Sequence, residues 1–320
     1  MRSKIAGLRD SPKNGMNSAM SNRQSAAPTG MLLLIAGAAV DSTSGLFSRL
    51  LTADGFTTAS GRGFFAFVIL LAALAWRDRG ATFASLSGVG LAGLAFVLLN
   101  ASGMVMNMLS LKFTAVANFF MIFATAPFVA ALAGRIFLGE RLDAATFLAA
   151  AAGLVGIAVM MASAAASNGL VGDLLALACV FTYSGIVLVV RRNPGLDMLP
   201  VLTLTVLASG LIPLPFAHFG SLPNQDWAIL VVFGFFQLAL GNLLIFAGVA
   251  RIPAAQAGLL GILIAAFAPI WVLVFLGEIP PRATMIGGAI VLGSSAAHFL
   301  WSLHHARRGG KIAEMPVAIE

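Results

Sequence analysis

Ten apolar runs, most of them close to twenty residues long, fill the sequence. They fall at about 31–51, 57–76, 85–108, 114–138, 144–162, 172–190, 198–217, 227–249, 254–276 and 284–303. Roughly 20 apolar residues carry a helix across the hydrocarbon of a bilayer. Backbone in that layer must satisfy its own hydrogen bonds, which leaves helices and closed barrels. Barrel strands alternate polar and apolar residues, whereas these runs are continuous. The predicted fold class is therefore an all-α integral membrane protein with ten transmembrane helices. Composition agrees: 59% of the 320 residues are hydrophobic and 10% charged, against about 25% charged in soluble domains.

The formal charge of +7 does not form a nucleic-acid face. With the N-terminus placed in the cytoplasm, the inner segments hold Arg2, Lys4, Arg9, Lys13, Arg23, Arg77, Arg79, Arg141, Arg191, Arg192, Arg251, Arg307, Arg308 and Lys311. Basic residues gathered in short loops and tails on one side set orientation. Both termini are thus expected inside a bacterial-type inner (plasma) membrane. Residues 1–29 are polar and read as a disordered cytoplasmic tail, and 305–320 as a second one. Cys179, alone in its chain, reads as packing.

The chain repeats. "FLGE" at 137–140 returns at 275–278, and "AT" follows at 145–146 and 283–284. Each FLGE closes the fourth run of a five-run half. Five is odd, so the halves, 30–163 and 172–304, must insert with opposite orientation. Inverted repeats of this kind are common in secondary transporters.

These residues resemble the drug/metabolite transporter superfamily, and within it the ten-helix EamA-type exporters. The resemblance rests on "GRGFFAFVILLAAL" (61–74), "APFVAALAGRIFLGERLD" (126–143), "GDLLALACVFTYSG" (172–185) and "APIWVLVFLGEIP" (268–280). It implies a small-molecule substrate, with export of amino acids or related metabolites. The family often carries a Glu-Pro pair early in the ninth helix; here those positions are Ile264 and Ala265.

Polar residues inside runs mark the candidate site. Asp41 stands at the midpoint of the first run, where a carboxylate costs on the order of 2.5–3.5 kcal/mol on insertion scales. Gly37, Asp41, Ser44, Gly45 and Ser48 share one helix face. Aligning Gly30 with Gly172 brings Asp41 onto Tyr183, the only tyrosine, on the facing wall of one cavity. Asn100, Asn118, Gln237, Asn242 and Trp271 are the further candidates for lining it. Pro127 and Pro269 interrupt their helices and read as hinges. Glu140 and Glu278 read as turn structure at helix ends, and Asp173 as a cap of the sixth helix.

A secondary transporter is the expected class, with protons as a candidate coupling ion through Asp41. Drug or hydrophobic-cation efflux and facilitative uptake are the alternatives. GxxxxGK[ST], HExxH and GxSxG are absent from the sequence, which disfavours direct use of ATP and an intramembrane enzyme. The pattern calls for no cofactor, metal or nucleic acid, and specifies no oligomeric state.

Overall fold

The computed structural model describes residues 29–140, 144–166, 169–249, 251 and 259–309. The tail expected at 1–29, most of the one at 305–320, Arg141 and the start of the run at 254–276 lie outside these. The described residues form helices and turns, without a strand. Among the described residues nine helices are long and apolar enough to cross a membrane: α1 Thr29–Leu50, α2 Gly55–Asp78, α3 Gly90–Phe113, α4 Val116–Leu138, α5 Ala144–Ala162, α6 Leu170–Arg192, α7 Met198–Phe216, α8 Asn224–Val249 and, after α9, α10 Arg282–Ser302. The apolar helix α9 is described over Leu259–Leu276. α10 stays helical to Gly309, past the boundary expected for the tail.

A twofold axis relating α1–α5 to α6–α10 maps each helix and its counterpart onto themselves, and three such pairs matter here: α2 with α7, α4 with α9, α5 with α10. All three pack together. It exchanges α3·α7 with α2·α8, α4·α6 with α1·α9, and α3·α6 with α1·α8, and each of these is also in contact. Small residues let the backbones approach, the usual device where lipid supplies no hydrophobic drive. A Cβ on Gly63 would meet Gly210 N at 2.8 Å where α2 crosses α7. A Cβ on Gly156 would meet Gly287 O at 2.6 Å where α5 crosses α10.

The FLGE repeat has a local meaning. Gly139 (φ +70°) and Gly277 (φ +67°) end α4 and α9 in the left-handed conformation that glycine adopts without steric cost. Glu140 N then donates to Gly134 O (3.3 Å) and Glu278 N to Val272 O (3.4 Å), the six-to-one bond of a Schellman stop. The carboxylate after each stop is left at the membrane surface.

Asp54 starts α2 as an N-cap. Its Oδ1 accepts from Phe56 N (2.8 Å) and Thr57 N (3.0 Å), and its Oδ2 from Thr57 Oγ1 (2.6 Å). Burial pushes its carboxyl up, but these bonds and nearby His218 outweigh that and hold it below the ordinary 3.8. A carboxyl held down on folding stabilises the fold above its unfolded value. That contribution disappears as the pH falls through the folded one, so it is intact at neutral pH and lost below about pH 4. Asp54→Ala is expected to cost about 1 kcal/mol. Thermal unfolding in detergent would show this as a lower midpoint at pH 7, with the gap to wild type closing in acid.

Candidate functional site

The first helix loosens beside its carboxylate. In "DSTS", Ser42 Oγ donates to Ala39 O (2.8 Å) and Thr43 Oγ1 to Val40 O (2.6 Å). Hydroxyls that bond the preceding turn compete with the helix ladder, and residues 42–43 form a turn between two helical stretches. Ser42 Oγ also accepts from Trp271 Nε1 (2.9 Å), which fastens α9 to this break.

Asp41, just above it, accepts through Oδ1 from Gln237 Nε2 (2.8 Å). The other end of that amide, Oε1, accepts from Arg62 Nη1 (3.4 Å), and Arg62 Nη2 donates to Met104 O (3.0 Å). An acid, an amide and a base thus form one chain, drawn from α1, α8 and α2 and ending on a carbonyl of α3. Arg62 is 3% exposed, and its guanidinium lies 5.2 Å from the centre of the Phe233 ring. Such placement over an aromatic face is attractive. Phe47 stacks on the same Phe233, centroids 5.1 Å apart. Phe233 and Gln237 both belong to a π-helical stretch of α8, Phe233–Leu240. π segments are rare and concentrate at functional sites. Arg62 lies seven residues into α2 and Asp41 nine residues before the end of α1. At 1.5 Å per residue that is about 11 and 14 Å from the same surface, close to the middle of a core about 30 Å thick.

The other sequence candidates are distributed around this chain. Tyr183 sits deep among the helices yet keeps 38% of its surface accessible. Its ring meets Phe123 edge-on at 5.5 Å, and the side-chain bond to Asp41 comes from Gln237 instead. Ser44 is buried, the first helical residue after the α1 break. Asn100 is half-buried on α3. Asn242 turns back to its own helix, donating to Leu238 O (2.5 Å). Pro127 stands in the first turn of the second half of α4, after a break at Ala124–Thr125, whereas Pro269 lies inside α9.

Asn118 belongs to a second buried cluster. Its Nδ2 donates to both oxygens of Asp173 (3.3 Å each), Thr114 Oγ1 donates to Asp173 Oδ1 (2.5 Å), and Thr284 Oγ1 donates to Asn118 Oδ1. Asp173 therefore joins α6 to the α3–α4 turn and, through Asn118, to α10. It does not cap its helix: the N-cap is Gly169, without a side-chain bond.

Arg62 is the member of this buried chain that sequence reasoning missed. Its signal was present, a cation five residues into an apolar run within "GRGFF". Among the described residues no group of His, Cys, Asp and Glu could hold a metal.

A polytopic helical bundle with an acid–amide–base chain buried where its halves meet is a multi-pass membrane protein of the transporter class. The chain belongs to the EamA-like transporter family, which it matches over residues 28–162 and 170–299. Members of that family are transporters rather than enzymes, so a small-molecule substrate and a bilayer are the partners. A crystal structure titled only as that of a protein superposes with a TM-score of 0.62, over 86% of this chain and 99% of its own, at 18% identity. At that identity the likeness is one of fold. No curated protein matches the chain.

Proposed function

We propose that the protein is a secondary transporter of the inner (plasma) membrane. It has both termini in the cytoplasm and repeats over 30–163 and 172–304, and it exports amino acids or closely related metabolites by proton antiport. The observation that carries this reading is the Asp41–Gln237–Arg62 chain. A zwitterion offers an ammonium to Asp41 and a carboxylate to Arg62, displacing the Gln237 amide that joins them. Charge-assisted bonds of this kind are about twice as strong as neutral ones. A hydrophobic monocation, the substrate of the alternative efflux reading, gains from Asp41 and the aromatic wall but meets the Arg62 charge. Tyr183, Asn100, Ser44, Asn118, Asn242 and Trp271 are proposed to line the path, with Pro127 and Pro269 as its hinges. Asp41 is the group proposed to exchange protons, since proton and ammonium compete for one carboxylate.

Asp41→Asn tests this. The amide preserves shape and removes titration. Export of a panel of amino acids from an overexpressing strain is expected to fall at least about tenfold, the size of a lost charge-assisted contact of roughly 1.5–3 kcal/mol. Residual transport is expected to lose its pH dependence. Wild-type export with an unchanged pH profile would refute the role of Asp41.

A further inference from the structure

The two repeated carboxylates each hold an arginine of the opposite repeat. Arg49, at the end of α1, donates through Nε to Glu278 Oε2 (3.0 Å) and through Nη2 to Glu278 Oε1 (3.3 Å). Arg191, at the end of α6, pairs with Glu140. The alignment that sets Gly30 on Gly172 sets Arg49 on Arg191, and the FLGE blocks set Glu140 on Glu278. One sequence device therefore appears twice, related by the inverted repeat. α1 and α9 end on one membrane face and α4 and α6 on the other, so the pairs lie at opposite surfaces. Both cross between repeats: α1 to α9 at one face, α6 to α4 at the other.

We propose that Arg49–Glu278 and Arg191–Glu140 are the two gates of the transport path, each latching the repeats together at its own face. Rocking one repeat against the other opens one face as it closes the other, so an inter-repeat tie at each face opposes opening on that side only. A cleft of about 200 Å³ is lined by Arg49 of the first pair, with Lys112, Thr114, Asn118 and Pro281. Another, of about 440 Å³, lies beside the helix ends that carry the second pair and is lined by Leu91, Leu188 and the neighbouring Phe137 and Arg192. The latches differ in grip. Arg49 also donates to Leu111 O (3.0 Å) and Thr114 O (2.8 Å), and Glu278 accepts from Val116 N (3.3 Å). The side chains of this pair are 26% and 29% exposed, against 37% and 41% for Arg191 and Glu140. The α4–α6 latch is the weaker one and releases first. Helix stop and latch come from one tetrapeptide: the glycine halts the helix and the glutamate behind it faces the other repeat.

This proposal rests on the transport reading and is tested without knowing the substrate. In a background with Cys179 replaced, Tyr183→Cys supplies a reporter at a position proposed to line the path. A membrane-impermeant maleimide is added to sealed vesicles of each orientation. Glu278→Gln is expected to speed labelling from the α1–α2 face, and Glu140→Gln from the α4–α5 face, each by about two- to fivefold, the range a part-exposed ion pair supports. The swapped pair Arg191→Glu/Glu140→Arg is expected to restore the parental rate, which a merely misfolded variant would not do. Unchanged rates in both glutamine variants, or faster labelling from one and the same face in both, overturns the gates. A reporter that never reacts from either side, in any variant, overturns them together with the water-filled path that transport requires.

Discussion

Arg62→Met is expected to remove transport and to destabilise the folded protein at once. The substitution leaves Gln237 Oε1 without its donor and Asp41 without the cation that faces it. Removing one member of a buried charge pair costs about 3–5 kcal/mol, because the survivor remains buried without compensation. Here an amide intervenes and keeps its 2.8 Å bond to Asp41, so the lower end, about 3 kcal/mol, is the expected loss. The double variant Arg62→Met/Asp41→Asn separates the two effects. It carries no buried charge at this place, and its thermal midpoint in detergent is expected to return most of the way to wild type. Its transport is expected to stay absent, because neither end of a zwitterion finds a charge. If Arg62→Met alone unfolds no more readily than wild type and still transports, the acid–amide–base chain is incidental. Recovery of transport in the double variant would show that Arg62 serves only to neutralise Asp41.

Which parts of this arrangement could be read from sequence follows from how each signal is encoded. Asp41 is legible because a carboxylate at the centre of an apolar run has few innocent explanations. The inverted repeat is legible because FLGE recurs with the same helix count before it. Arg62 was hidden for a physical reason: long basic side chains a turn or two from a helix end commonly snorkel to the surface. Only the packing of Phe233 and Gln237 against α2 shows that this one turns inward. Gln237 and Asp41 are 196 residues apart, and no local pattern joins them. The π segment that presents Phe233 and Gln237 also leaves no periodic mark in a uniformly apolar helix.

Asp173 illustrates the opposite error. An acid near the start of a run reads as a cap, but capping belongs to the residue just before the first turn. α6 starts at Leu170, which puts Asp173 inside that turn, where its bonds go to Thr114 and Asn118 of neighbouring helices. The FLGE glutamates are a third case. They do stand at turns, since the glycines before them stop α4 and α9. Their arginine partners became visible only when the ends of α1 and α6 were brought beside them.

The fold itself is expected to fail at a single added methyl group. Where α5 crosses α10, a Cβ on Gly287 would stand 2.5 Å from Gly156 O, and one on Gly156 would stand 2.6 Å from Gly287 O. The obstacle is backbone on both sides, so no rotamer change relieves it, and the helices must move apart. Gly63 meets the same limit against Gly210. These two crossings are helix pairs that the internal twofold maps onto themselves, so separating either one parts the two repeats. Forced overpacking costs about 1–3 kcal/mol per site, and loss of the surrounding van der Waals contacts adds to it, since lipid gives no hydrophobic drive to restore them. Gly287→Ala and Gly63→Ala are therefore expected to lower the yield of monodisperse protein extracted in detergent and to depress its thermal midpoint. Gly261→Ala and Gly293→Ala provide the contrast. Nothing lies within 4 Å of a Cβ at either position, and alanine is the better helix former by about 1 kcal/mol. Those two variants are expected to match or exceed wild type. If all four behave alike, the glycines serve helix flexibility, and close approach at the crossings is not what holds the repeats together.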